Sequence, residues 1–165
     1  MKNNKPVIFI IIFWIFISFF AVIKNEITLN SKTTVYLKTV PVDPRDIFMG
    51  DYVILNYKIA QNVDSYKLNK IVYVVLDVDK NKVATRKLVT ADKPKGRELY
   101  IKGRISKCPT TIAFFKTGQC VNMGIESYYV KEGEGKKLEK DLRNGALVEV
   151  KISENGLAKV VGFKK

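Results

Sequence analysis

Histidine is absent from all 165 residues, which removes Ser–His and Cys–His nucleophile pairs and every histidine-ligated metal site. Cysteine occurs only at Cys108 and Cys120, too few for a cysteine-bound structural zinc. No metal or cofactor is expected, and Gly133-Glu-Gly135 lacks the spacing and strand context of a dinucleotide loop. Arginine is scarce as well. It supplies five of the 29 basic residues, and no Lys/Arg cluster is interleaved with stacking aromatics, which argues against a nucleic-acid partner. No internal repeat, long linker or low-complexity segment interrupts the chain, so it reads as one soluble domain of about 130 residues beyond a membrane segment.

What the chain does have is positive charge, +13 at neutral pH, carried mostly by lysine. Such a surface suits solvation first and anionic lipid head groups second. Val7 to Ile23 are seventeen positions, apolar except Ser18, within the ~17–25 residues that cross a bilayer. A cleavable signal peptide has a shorter apolar core and small residues at its exit, whereas this run leaves through Phe20-Ala21-Val22-Ile23-Lys24-Asn25. Residues 1–25 are therefore expected to be an uncleaved transmembrane anchor, and 26–165 an extracytoplasmic β domain. Lys2 and Lys5 hold the amino terminus in the cytoplasm, giving a single-pass protein of the cytoplasmic (inner) membrane. Trp14, midway along the run, is expected to face lipid, with contact to a neighbouring helix as the alternative.

Past the anchor the pattern is that of strands. Thr33–Val40 alternates and is rich in β-branched residues, and Val53, Leu55, Tyr57 and Ile59 share one face of a second strand. Ile71–Val78 is apolar on both faces except Asp77, as in a strand covered on both sides, and Val83–Val89 is its hairpin partner. Glu98–Ile105 and Met123–Val130 read as further strands, and Lys136–Arg143 as a short helix with Leu138 and Leu142 on one face. Leu147–Ile152 and Leu157–Phe163 pair about a two-residue Asn155-Gly156 turn. The expected fold is mainly β: an N-terminal transmembrane helix, then a small antiparallel β-barrel or β-sandwich with one short helix.

The most particular stretch runs from Pro41 to Tyr57. Pro41 and Pro44 stiffen an acidic turn, and Gly50-Asp51 permits a bend into the alternating strand. Gly50-Asp51-Tyr52, Leu55 and Tyr57 spell Gly-Asp-Tyr-x-x-Leu-x-Tyr in full. Val42-Asp43-Pro44-Arg45-Asp46, Lys102-Gly103-Arg104, Gly124-Ile125-Glu126 and Glu132-Gly133 extend the pattern. On these residues the chain resembles the bacterial GDYXXLXY family, over roughly residues 30 to 163. The resemblance implies a membrane-anchored extracytoplasmic domain, often associated with polytopic membrane proteins, and no defined chemistry. It points to Asp43, Pro44, Arg45, Asp46, Gly50, Asp51, Tyr52, Leu55, Tyr57, Lys102, Gly103, Arg104, Gly124 and Glu126 as the motif positions of a binding surface.

The remaining acid–base candidates are Asp43, Asp46, Asp51, Glu126 and Glu132, and a glycosidase would need two of them facing each other across a sugar cleft. Asp43-Pro-Arg-Asp46 reads first as turn chemistry, with Asp accepting backbone N–H bonds and Arg45 bridging a carboxylate. No serine precedes Gly50-Asp51 to act as a nucleophile, and Ser31 lies too far upstream. Two functions follow: an interaction module engaging a polytopic membrane partner, or a carboxylate-dependent hydrolase acting on an envelope glycan or lipid. Carboxylates paired across a groove favour the hydrolase, and carboxylates satisfied by backbone or arginine favour the module.

Outside the cytoplasm Cys108 and Cys120 are expected to form a disulfide. Placing them opposite each other in an antiparallel pair sets Lys102 against Glu126, Tyr100 against Tyr128 and Ile105 against Met123, three favourable cross-strand matches.

Overall fold

The structure is a computed structural model, and it describes residues 5–29, 31, 33–40, 52–63, 66–108, 118–131 and 133–164. The fold is mainly β, organised as a curled half-barrel sheet. Helix α1 (Lys5–Leu29) is followed by β1 (Thr33–Val40), β2 (Tyr52–Ile54), β3 (Asn56–Tyr57) and a 3-10 turn at Lys58–Ala60. Then come β4 (Ile71–Val78), β5 (Val83–Thr90), β6 (Tyr100–Lys107), β7 (Gln119–Asn122) and β8 (Ser127–Tyr129). Helix α2 (Gly135–Arg143) precedes the closing hairpin of β9 (Leu147–Ile152) and β10 (Ala158–Lys164).

The strands follow from alternation. Val148, Val150 and Ile152 of β9, and Val35 and Leu37 of β1, turn inward and are fully buried, while their neighbours in sequence are not. The sheet runs β10-β9-β1-β5-β4-β6-β7, with β3 attached beside the end of β1. The pairing is antiparallel except between β1 and β5, which run parallel at Tyr36 and Val83. The curl brings the β9–β10 hairpin at one end of this path back to β6 near the other. At the tip of the β9–β10 hairpin the Gly156 carbonyl accepts from Lys102 N–H (2.8 Å), and Tyr100 Oη donates to the Glu154 carbonyl (3.1 Å). Gly156 has φ +75, and a Cβ there would strike the Tyr100 ring. The turn itself is a three-residue loop rather than two: Gly156 N–H bonds the Ser153 carbonyl and Ser153 N–H bonds that of Leu157.

β2 and β8 form a separate two-stranded ribbon that meets the main sheet at β10, with the Tyr128 ring edge-on to Phe163 at 4.9 Å. Helix α2 packs on β2, and Leu138 and Leu142 face the core as their spacing predicts.

Two expected strands are differently built. Val53, Leu55, Tyr57 and Ile59 are all buried, as alternation predicts, but the strand changes partner at Leu55: β2 pairs with β8, and β3 with β1. Met123–Val130 is strand only at Ser127–Tyr129, because Gly124 at φ +79 turns the chain away from β6. The disulfide is present, with the Cα atoms of Cys108 and Cys120 4.9 Å apart, but the register is not the expected one. Cys120 faces Ser106, Ile105 faces Val121, and Lys102 and Tyr100 pair with β4 at Tyr73 and Val75. The bridge joins diagonal neighbours, which strand twist draws together.

Helix α1 extends beyond the apolar run at both ends, and Ile8 to Phe20 are all exposed, Trp14 at 62%. Among the described residues no helix is long and apolar enough to cross a membrane. The helix packs on β9 and β10, and the Ser31 hydroxyl donates to the Ile152 carbonyl, fixing where the chain enters the sheet.

Candidate functional site

At the far end of β1 the downstream half of the motif meets the Gly124-Ile125-Glu126 turn. Leu55, between two short strands, donates its N–H to the Glu126 carbonyl (2.7 Å), and Tyr57 Oη donates to the Ile125 carbonyl (2.8 Å). The turn is built by its own side chains. Asn122 Oδ1 accepts from Gly124 N–H (3.1 Å), and Glu126 Oε1 accepts from Met123 N–H. Tyr57 is buried, and that burial, with the nearby Glu126 carboxylate adding to it, pushes its phenol far above its ordinary value and keeps it neutral. Two sequence segments 68 residues apart are thus locked by one hydroxyl and one amide.

Between β3, the 3-10 turn and β7 lies a pocket of about 270 Å³. Leu55, Tyr57, Ala60 and Val121 give it an apolar floor; Asn56, Gln61, Asn122 and Ser106 bring amides and a hydroxyl; Lys107 and Glu126 bring one charge of each sign. Cys120 of the disulfide forms part of the wall. Arg86 holds the 3-10 turn in place, its Nη1 donating to the carbonyls of Ile59 and Gln61. Glu126 is the one carboxylate among the described lining residues, and one of its oxygens already serves the backbone. No cluster of acidic or cysteine residues suited to a metal occurs among the described residues.

The motif positions separate into groups. Leu55, Tyr57, Gly124 and Glu126 converge here. Gly103 supports them from β6, where a Cβ would collide with the Val121 side chain and the Asn122 carbonyl, so glycine lets β7 cross closely. Lys102 and Arg104 are exposed and do not line the pocket; Arg104 reaches instead toward the Asn69 carbonyl. Asp43, Pro44, Arg45, Asp46, Gly50 and Asp51, like the carboxylate of Glu132, lie outside the described residues, and of Tyr52 only the backbone pairing with Tyr129 is described. Sequence reasoning missed Gln61, Ser106, Lys107, Asn122 and Arg86. Of these only Asn122 carried a signal, an Asn two residues before a Gly, which suits a side-chain-supported turn.

A protein-family model described as "GDYXXLXY protein" matches residues 14–163. No curated protein and no solved structure matches the chain.

Proposed function

The chain belongs to the GDYXXLXY protein family, and from that membership, the apolar amino-terminal helix and the pocket beneath the motif we propose a membrane-anchored extracytoplasmic binding module that acts with a polytopic membrane protein. The observation that carries the choice of module over enzyme is Glu126. A carboxylate hydrolase needs an acid and a base or nucleophile facing each other, whereas Glu126 spends an oxygen on Met123 N–H and the other polar lining groups among the described residues are amides, a hydroxyl and an amine. Amides and hydroxyls that keep hydrogen-bonding capacity over an apolar floor are the lining of a binding site.

In this reading Val7–Ile23 spans the inner membrane, with the amino terminus in the cytoplasm, and the lysine-rich domain stands outside, where anionic head groups attract it. The pocket then faces away from the bilayer. Helix α1 enters at Thr33, which pairs with Ile152, while Asn56 and Tyr57 sit beside Val40 and Thr39, the length of β1 or about 23 Å further out. The test is a photo-crosslinking residue placed at Asn122, on the pocket rim, with a second at Lys80 on the β4–β5 turn at the opposite end. Irradiation of intact cells and mass spectrometry should identify a polytopic membrane protein joined at position 122 and not at 80. Release of sugar or acyl product from envelope material, abolished by Glu126→Gln, would establish the hydrolase instead.

A further inference from the structure

We propose that the pocket receives an extended peptide segment of the partner, which pairs with the outer edge of β7 at Val121 and places one apolar side chain on the Leu55–Tyr57–Val121 floor. This rests on the binding-module reading and specifies its ligand.

The argument begins with the backbone of β7, the last strand of the sheet path. In an antiparallel pair, successive residues point their N–H and C=O alternately toward and away from the partner strand. Ile105 of β6 turns both groups away from β7: its N–H bonds the Lys70 carbonyl (2.9 Å) and its carbonyl accepts from Asn69 N–H (2.8 Å). Cys108 N–H, three residues on, bonds the Gly118 carbonyl across the same ladder (3.1 Å). Val121, opposite Ile105, therefore turns its own N–H and C=O outward. The same parity holds at Gln119, whose carbonyl accepts from Val63 N–H on that outer side (3.0 Å).

Val121 is 2% exposed and lines the pocket, and no hydrogen-bond partner for its outward N–H or C=O is found among the described residues. A buried backbone donor and acceptor left together are costly to the protein alone and are satisfied at once by one residue of an added strand. Pocket size agrees. Sites that enclose a whole small molecule run roughly 300–1,000 Å³. A space of about 270 Å³ suits one side chain with its flanking peptide groups. The amides of Asn56, Gln61 and Asn122 line the same pocket and can hydrogen-bond such peptide groups, and Lys107 and Glu126 can meet charges of either sign on the flanking residues.

The experiment uses the full chain in detergent micelles and a blocked pentapeptide with leucine at its centre and threonine elsewhere. Saturable binding is expected, with the Val121 amide among the resonances that move and its hydrogen exchange slowed. Methylating the backbone nitrogen of the central leucine should weaken binding at least about tenfold, because it removes the donor that meets the Val121 carbonyl. Gln61→Trp, which obstructs the rim from a partly exposed position, should do the same while leaving the melting temperature unchanged. Equal affinity for the methylated peptide, binding that leaves Val121 unmoved, or no binding at millimolar peptide would overturn the inference. Were the crosslink at Asn122 still to find a membrane protein, the module reading would stand and only its peptide ligand would fall.

Discussion

Tyr57 closes the family motif, and it joins a buried ring to a hydroxyl that holds the Ile125 carbonyl. Losing that hydroxyl leaves a buried acceptor unmet, so Tyr57→Phe is expected to cost about 1–2 kcal/mol in denaturant unfolding. The phenol also shapes behaviour at high pH. Burial, and secondarily the Glu126 carboxylate, raises its folded pKa far above the ordinary 10.0. In the folded state Tyr57 therefore keeps its proton where the unfolded chain releases it. The linkage sign follows: above pH 10 the folded state binds more protons than the unfolded, so stability present below pH 10 declines as pH rises. Unfolding curves between pH 8 and 11 should show that decline in the parent chain and a shallower one in Tyr57→Phe; parallel curves would mean that Tyr57 does not carry the effect. The burial of Tyr57 was legible in the sequence, because strict alternation put it with Val53, Leu55 and Ile59. Its partner was not legible, since a hydroxyl-to-carbonyl bond across 68 residues leaves no local pattern.

Among the elements, periodicity locates most strands and misses the junction at Leu55, where the chain leaves one partner strand for another. Leu55 belongs to neither β2 nor β3, and the buried face continues through it without interruption, so alternation reports one strand where the hydrogen bonds make two. The β6–β7 register differs from the expected one for a separate reason. A disulfide suggests that its cysteines stand directly opposite, whereas twist lets Cys108 and Cys120 join as a diagonal pair, and the Lys102–Glu126 and Tyr100–Tyr128 matches of the opposite register do not occur. The closure of the curl leaves no local pattern either: Asn155-Gly156 marks the turn, which is three residues long rather than the expected two, but nothing in it points to β6. Gly156 is needed twice, for its positive φ and because the Tyr100 ring occupies the place of a Cβ. Gly145, at φ +94 with open space around it, needs only the first. Gly145→Ala is therefore expected to lose on the order of 1 kcal/mol, and Gly156→Ala a further ~1–3 kcal/mol as the hairpin tip is driven off β6. Equal losses in thermal or urea unfolding would show that the contact with β6 contributes nothing beyond the turn.

For the whole molecule, the decisive contrast is between a domain that hides its apolar side chains and a helix that displays them. Val148, Val150, Leu37 and Ile101 are wholly buried in the sheet, yet Phe9, Trp14, Phe16, Phe19 and Phe20 are each more than half exposed on α1. In water a continuous apolar surface of that kind is a liability; in hydrocarbon it is the resting state of a helix whose backbone bonds are internal. On the proposed reading, Lys2 and Lys5 would hold the amino terminus in the cytoplasm, and the Cys108–Cys120 disulfide would stand in a compartment where such bonds persist. We predict a single-pass topology with residues 26–165 outside. Protease added to intact spheroplasts should remove an epitope at the carboxyl terminus while sparing a cytoplasmic control. A thiol reagent added under denaturing, non-reducing conditions should leave both cysteines unlabelled. Protection of the epitope until the membrane is lysed, together with labelling of Cys108 and Cys120, would place the domain in the cytoplasm. The pocket would then lie in the wrong compartment for an envelope partner, and the binding-module reading would lose its premise along with the anchor.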